Sequence, residues 1–169
     1  MCYGIVGMTV SSVDLSAERK GILAAFIRFL NDRLGYDFNV EKEFDKRFLL
    51  QKYVFLAKYL GLDLAYDYSL YMYGPYSKEL ADDYYELARQ KVLPEASLPP
   101  EFNADAFVSL VKDRDAKWLE TAASILMVLE KYPGMSENEV YDILRMSKPW
   151  LTYESFEKVY KILSMKQPV

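Results

Sequence analysis

A broad apolar surface on one predicted helix constrains the fold more than any other feature of this sequence. Residues 41–60, EKEFDKRFLLQKYVFLAKYL, carry apolar side chains at helical spacing at Phe44, Phe48, Leu49, Tyr53, Phe55, Leu56 and Leu60. A helix on the surface of a globular protein buries a single stripe, so a stripe this wide has to pack on more than one side. The sequence therefore predicts a central helix over 41–60.

Six further segments have the spacing or the end signals of helices. They are 14–34, 78–91, 104–112, 116–131, 137–147 and 153–165. Asp14 or Ser16 is expected to cap the first of them, and Gly35 to end it. Ser77 is expected to cap the second, and the sequence SENE, residues 136–139, is a capping box. The chain is therefore predicted to be mostly helical.

After the central helix, the hydrophobic period changes from about 3.6 to 2, as in a strand with one buried face. The apolar positions of this segment, residues 64–73, are Leu64, Tyr66, Tyr68, Leu70 and Met72. Three partners for the strand stay open, namely residues 3–10, a strand near 91–102, and another subunit. Gly74-Pro75 is expected to stop the strand, because proline has no N–H to give to a ladder.

The segment 92–103, VLPEASLPPEFN, contains three prolines and is predicted to connect two lobes of one compact domain. The N-terminal lobe, residues 1–92, would contain the strand and the YGPYS turn. The C-terminal lobe, residues 104–169, would be helical, with the spacing of a helix-turn-helix in its last three helices. The predicted fold class is thus a mostly α (α+β) domain with a small β element.

Composition excludes several classes of function. The formal net charge of −4 gives no overall attraction to nucleic acid, and no apolar run is long enough to cross a bilayer. The sequence has no histidine and a single cysteine, Cys2, which excludes Ser-His-Asp and Cys-His catalysis and an internal disulfide. The close carboxylate pairs Asp82-Asp83 and Asp113/Asp115 match no metal-ligand spacing. We expect a cytoplasmic protein that is not an enzyme and has no metal or cofactor.

Tyrosine is the one residue type in marked excess, and seven of the 15 tyrosines lie between residues 66 and 85. One strand and one helix cannot bury all seven, so several should reach the surface, where tyrosine is enriched at protein interfaces. The candidate partner-binding residues are Tyr71, Tyr73, Gly74, Pro75, Tyr76 and Ser77, and the partner is another protein or a second copy in a homodimer. The alternative is that the tyrosines pack between this strand and its neighbours.

A second hypothesis is DNA binding through the last three helices. In a helix-turn-helix the last helix enters the major groove, and here Lys158, Lys161 and Lys166 would supply the contacts to DNA. The exposed side of that helix offers no arginine or asparagine for reading bases.

Two stretches resemble a known family. RFLLQKYVFLAKYLG, followed by YMYGPYSKEL, resembles the LQK helix and the aromatic-x-x-GP element of the Panacea family, the SocA-like proteins that include antitoxins. The resemblance is stronger to the related YwgA-type proteins of unknown function. VLEKYPGMSENEVYDILRMSKPW resembles the second half of that pattern, although Met146-Ser147 stands where Panacea proteins carry Thr-His.

The resemblance covers residues 47–151. It implies a mostly helical domain that acts by binding another protein, such as a toxin or a target handed to a protease. In this sequence the family's element would be Tyr73, Gly74, Pro75, Tyr76 and Ser77. The sequence therefore predicts a non-catalytic protein-interaction or regulatory module, for which the resemblance implies an antitoxin-like role, with a DNA-binding regulator as the alternative.

Overall fold

The computed structural model describes residues 12–166 and has a mostly helical fold with one small antiparallel sheet. Its helices are α1 (Ser12–Leu34), α2 (Phe44–Ala57, continued by a 3-10 turn at Lys58–Leu60), α3 (Lys78–Ala88), α4 (Ala104–Val111), α5 (Ala116–Lys131), α6 (Glu137–Ser147) and α7 (Tyr153–Met165). The strands are β1 (Ser69–Tyr71) and β2 (Gly74–Tyr76). The mostly helical α+β class predicted from the sequence is confirmed.

Most helix ends that were predicted from local capping residues agree with the structure. Ser77 Oγ accepts a hydrogen bond from Leu80 N at 3.2 Å at the start of α3, and Ser136 and Glu139 form the predicted capping box of α6. Gly35, with a φ of +67°, ends α1 as expected. The predicted cap of α1 is wrong, because that helix already includes Ser12 and thus contains both Asp14 and Ser16.

The predicted strand over 64–73 is mostly wrong. Only Ser69–Tyr71 is a strand, and it pairs with Gly74–Tyr76 in the register Ser69↔Tyr76, Leu70↔Pro75 and Tyr71↔Gly74. Gly74-Pro75 therefore begins the partner strand instead of stopping the first one. An antiparallel ribbon needs hydrogen bonds only from alternate residue pairs, so a proline fits a position between the bonded pairs. Of the proposed partners, residues 3–10 lie outside the described residues, and 91–102 contains no strand.

The period of 2 before the sheet has another cause. Leu62, Leu64 and Tyr66 are buried and alternate with exposed neighbours, but residues 62–68 form no strand, and Ala65 within them has a φ of +58°. Alternate side chains of this segment face the helical core. Burial therefore alternates along it as in a strand, although the segment pairs with no other strand. Leu70 and Met72, which the pattern placed on the buried face, are exposed.

Helix α5 packs against α2, α6, α7 and strand β2, and α2 also contacts α3, α4 and β2. Buried residues from α1 to α7 belong to a single hydrophobic core. The β1–β2 hairpin therefore lies at the surface with the two most contacted helices beneath it. None of the helices within residues 12–166 is both long and apolar enough to cross a membrane.

Candidate functional site

The hairpin of β1 and β2, residues 69–76, is held from below by buried polar side chains. On α2, Gln51 Nε2 donates to Ser77 O at 2.8 Å, and Ser77 N donates to Gln51 Oε1 at 2.9 Å. The neighbouring Lys52 donates from Nζ to Pro75 O at 2.9 Å. The backbone that leaves the hairpin is thus fixed by two successive residues of the central helix.

A second lysine holds the turn of the hairpin. Lys148, which follows α6, donates from Nζ to Met72 O at 3.0 Å and lies 3.4 Å from Glu120 Oε1 of α5. Both side chains are almost completely buried. The hairpin is therefore attached to α2, to α5 through Glu120, and to the segment between α6 and α7.

Gly74 lies where the hairpin comes closest to α5. Its φ is +90°, and a Cβ at this position would be 2.8 Å from Ser124 Oγ. Ser124 Oγ is buried and has no hydrogen-bond partner among the described residues. Both the backbone conformation and the close approach require glycine here.

An open cavity of about 500 Å³ lies between the hairpin, α2 and α3. We call it the aromatic cleft, and it is lined by Phe44, Arg47, Phe48, Gln51, Lys52, Tyr71, Tyr73, Gly74, Tyr76, Tyr84 and Tyr85. Tyr73 packs edge-on against Phe44, with ring centroids 5.6 Å apart, and Tyr71 packs in the same way against Tyr76. The sequence folds this way because the hairpin places its aromatic residues beside those of the first two turns of α2.

The structure separates the tyrosine cluster into buried and exposed members. Tyr71, Tyr73 and Tyr76 are 59%, 52% and 38% exposed, whereas Tyr66 and Tyr84 are buried. The expectation that several of these tyrosines reach the surface is confirmed, and it is the three candidate tyrosines that do so. Of the other candidate residues, Gly74, Pro75 and Ser77 are buried and form the support of the hairpin.

Lys52 has the most unusual charge environment of the cleft. Burial lowers the pKa of its ammonium group from 10.5 to about 7; Glu120 acts in the opposite direction and Lys148 in the same direction. Burial also lowers the pKa of Lys148, again against the effect of Glu120. A lysine that is partly neutral near pH 7 thus lies at the floor of an apolar cleft.

The carboxylate pairs have structural roles. Asp83 Oδ2 accepts hydrogen bonds from Tyr66 Oη at 2.7 Å and from Arg19 Nε at 3.0 Å, whereas its neighbour Asp82 forms an exposed ion pair with Lys78. Asp115 caps α5, accepting from Trp118 N. Asp82 and Asp83 thus contact different partners and do not share a site.

The candidate DNA-contacting lysines lie at or beyond the exposed side of α7. Lys158 pairs with Glu154 at 3.1 Å, Lys161 pairs with Glu157, and Lys166 Nζ donates to Ser109 Oγ at 2.7 Å. Two glutamates and two lysines within α7 leave that helix without net charge. The helix itself therefore has no net positive charge to attract phosphates.

Comparisons with protein-family models, with curated proteins and with solved structures found no match for this chain. The resemblance to the Panacea and YwgA-type proteins stays a sequence-based expectation.

Sequence reasoning missed the residues of α2 that form the site. Phe44 and Phe48 are predicted only as parts of the central helix, and Gln51 and Lys52 only as part of the LQK helix in the resemblance, with no role in a site. One signal was available, because Gln51 and Lys52 are polar residues in the middle of a helix that is apolar on several sides. A polar side chain in such a position has to find a buried partner; Lys52 finds the backbone of β2 at Pro75, and Gln51 finds that of Ser77 directly after it.

Proposed function

We propose that this protein is a non-catalytic protein-interaction module, and that it binds its partner through an exposed aromatic surface. This surface, which we call the tyrosine surface, consists of Phe44, Leu70, Tyr71, Met72, Tyr73 and Tyr76. The observation that carries the proposal is the exposure of these six large apolar side chains, each at least 38% exposed, on one hairpin and the adjoining end of α2. Contiguous exposed apolar residues of this kind are typical of interaction sites.

The way the hairpin is held supports the proposal. Gln51, Lys52 and Lys148 fix its backbone from below, so the tyrosines above it are presented in one arrangement. A surface that is ordered before binding loses less conformational entropy when the partner arrives. Tyrosine itself has only two side-chain torsions to restrict, which makes it a favourable anchor residue.

The resemblance to the Panacea family suggests an antitoxin-like role, with a toxin or another protein as the partner. A second copy of this chain is the other partner that the tyrosine surface could bind. The DNA-binding hypothesis is disfavoured by the ion pairs within α7, since Lys158 and Lys161 are already neutralised by Glu154 and Glu157.

The proposal is tested by capturing tagged protein from its host lysate, with and without nuclease. Replacing Tyr71 and Tyr73 together by alanine should weaken binding of a protein partner by about 2 kcal/mol or more, because both rings are exposed anchors. Tyr132→Ala is the matched control, since Tyr132 is 47% exposed and lies outside the tyrosine surface.

We expect a stoichiometric partner that survives nuclease with the wild type and with Tyr132→Ala, but not with the double variant. Sedimentation of the purified protein would identify a homodimer, which the double variant should convert to monomer. The thermal unfolding midpoint of the double variant should stay close to that of the wild type. Equal capture by all three proteins, or bound material that disappears with nuclease, would refute the proposal.

A further inference from the structure

Lys52, which lines the aromatic cleft, belongs to a buried cluster that contains more positive than negative charge. Lys52, Lys148 and Glu120 are 2%, 1% and 5% exposed. Lys148 Nζ lies 3.4 Å from Glu120 Oε1, so this lysine and this carboxylate form a pair of their own. Lys52 is then the surplus cation, and a buried charge without a counter-ion is costly.

The ammonium group of Lys52 also has hydrogen-bonding capacity to spare. It has three N–H donors, and within residues 12–166 the one hydrogen bond it makes is to Pro75 O. Its Nζ lies 4.8 Å from the centre of the Phe48 ring, which forms part of the wall of the cleft. Because Lys52 itself lines the cleft, a group inside the cleft can approach the remaining donors.

The shape and walls of the cleft fit a small ligand with a flat apolar body. Its volume of about 500 Å³ lies within the range of small-molecule sites, which are mostly apolar with a few polar groups that fix orientation. Aromatic rings from α2, the hairpin and α3 form most of its lining. The second cation of the cleft, Arg47, is occupied in part by a hydrogen bond to Val40 O.

We propose that the aromatic cleft is a binding site for a small aromatic carboxylic acid, whose carboxylate pairs with Lys52 and whose ring lies against Phe48 and Tyr73. The carboxylate supplies the counter-ion that the buried cluster of two lysines and one glutamate lacks. The aromatic ring of the ligand fills the apolar part of the cleft above Lys52. Tyr73 belongs both to this site and to the tyrosine surface, but the inference is argued from Lys52 at the floor of the cleft and does not depend on the proposed binding of a partner protein.

The pH dependence of binding follows from the state of Lys52. Its pKa of about 7 means that the free protein carries the ammonium form mainly below pH 7. Carboxylic acids are ionised throughout this range, so the affinity for a carboxylate should fall about tenfold from pH 6 to pH 8 as Lys52 loses its proton. The ionisable groups around Lys52 are Arg47 on α2, Glu120 on α5, Lys148 after α6, and Tyr71, Tyr73, Tyr76, Tyr84 and Tyr85.

The test uses phenylacetate as the probe and phenylacetamide as its neutral counterpart, with binding to the full chain followed by NMR. At pH 6 the acid should bind at least tenfold more tightly than the amide, with shifts at Phe48, Lys52 and Tyr73. Its affinity should fall with pH as described, whereas that of the amide should not change. Binding should also raise the pKa of Lys52, which can be followed directly in the wild type.

Lys52→Met should abolish the preference for the acid over the amide. Lys58→Met is the matched control, because Lys58 also lies beside aromatic rings, at Phe55 and Tyr59, but it is paired with Glu130 outside the cleft. Should Lys52→Met fail to fold, the pH titration of the wild type decides the matter alone. Equal affinity for acid and amide, no binding of either probe, or shifts confined to another surface would overturn the proposal.

Discussion

At the scale of single residues, Gly74 combines two requirements that no other amino acid meets. Its φ of +90° is a conformation that residues with a side chain rarely adopt, and Ser124 Oγ lies 2.8 Å from where a Cβ would be. The first requirement belongs to the backbone of the turn and the second to its packing on α5. The two can be separated, because Gly134 has a similar φ of +85° with nothing within 4 Å of its Cβ position.

Gly74→Ala should therefore destabilise the protein more than Gly134→Ala. The backbone strain of a residue with a side chain at a positive φ should cost each variant about 1 kcal/mol of unfolding free energy, and the contact with Ser124 should cost Gly74→Ala at least a further 1 kcal/mol or so. Urea unfolding of both variants measures the difference. Equal losses would mean that α5 moves away easily, and that the hairpin is not closely packed on it.

At the scale of elements, the sequence predicted what local signals determine. The bounds of α5, α6 and α7 agree with prediction because capping residues such as Ser136 and breakers such as Pro133-Gly134 act within a few residues. The hairpin was missed because its partner strand begins at a Gly-Pro pair and because it is held by two lysines distant in sequence, Lys52 at Pro75 O and Lys148 at Met72 O. The three exposed tyrosines could be predicted from their number, whereas the floor of the cleft depends on tertiary contacts.

Gln51 links α2 to the start of α3, so replacing it should lower the free energy of unfolding. In Gln51→Leu, Ser77 O keeps its bond from Ala81 N at 3.1 Å, but the buried Ser77 N–H loses its acceptor. Leaving one buried donor without a partner should cost about 1 to 3 kcal/mol of unfolding free energy. Gln90→Leu is the control, since Gln90 is exposed, and it should change stability by less than about 0.5 kcal/mol. Similar values for the two variants in urea unfolding would contradict this role of Gln51.

At the scale of the whole molecule, the buried tyrosines and the buried Lys52 have opposite effects on how the free energy of unfolding changes as the pH rises. Burial raises the pKa values of Tyr36, Tyr59, Tyr66, Tyr68 and Tyr84 above the ordinary value of 10. The unfolded chain therefore loses these protons first, and stability falls as the pH rises above 10. Lys52 acts at lower pH, because its pKa is about 7 in the folded protein and 10.5 when exposed.

Between these two pKa values of Lys52 the unfolded chain binds more protons than the folded one, so stability should rise with pH. The free energy of unfolding should increase by about 2 kcal/mol from pH 7 to pH 9 and then decline above pH 10 as the tyrosines of the unfolded chain ionise. Chemical unfolding at a series of pH values measures this curve. Lys52→Met should remove most of the rise but leave the decline, because the buried tyrosines are unchanged. A wild-type stability that is flat or falling between pH 7 and pH 9 would mean that Lys52 stays protonated in the folded protein and has a counter-ion.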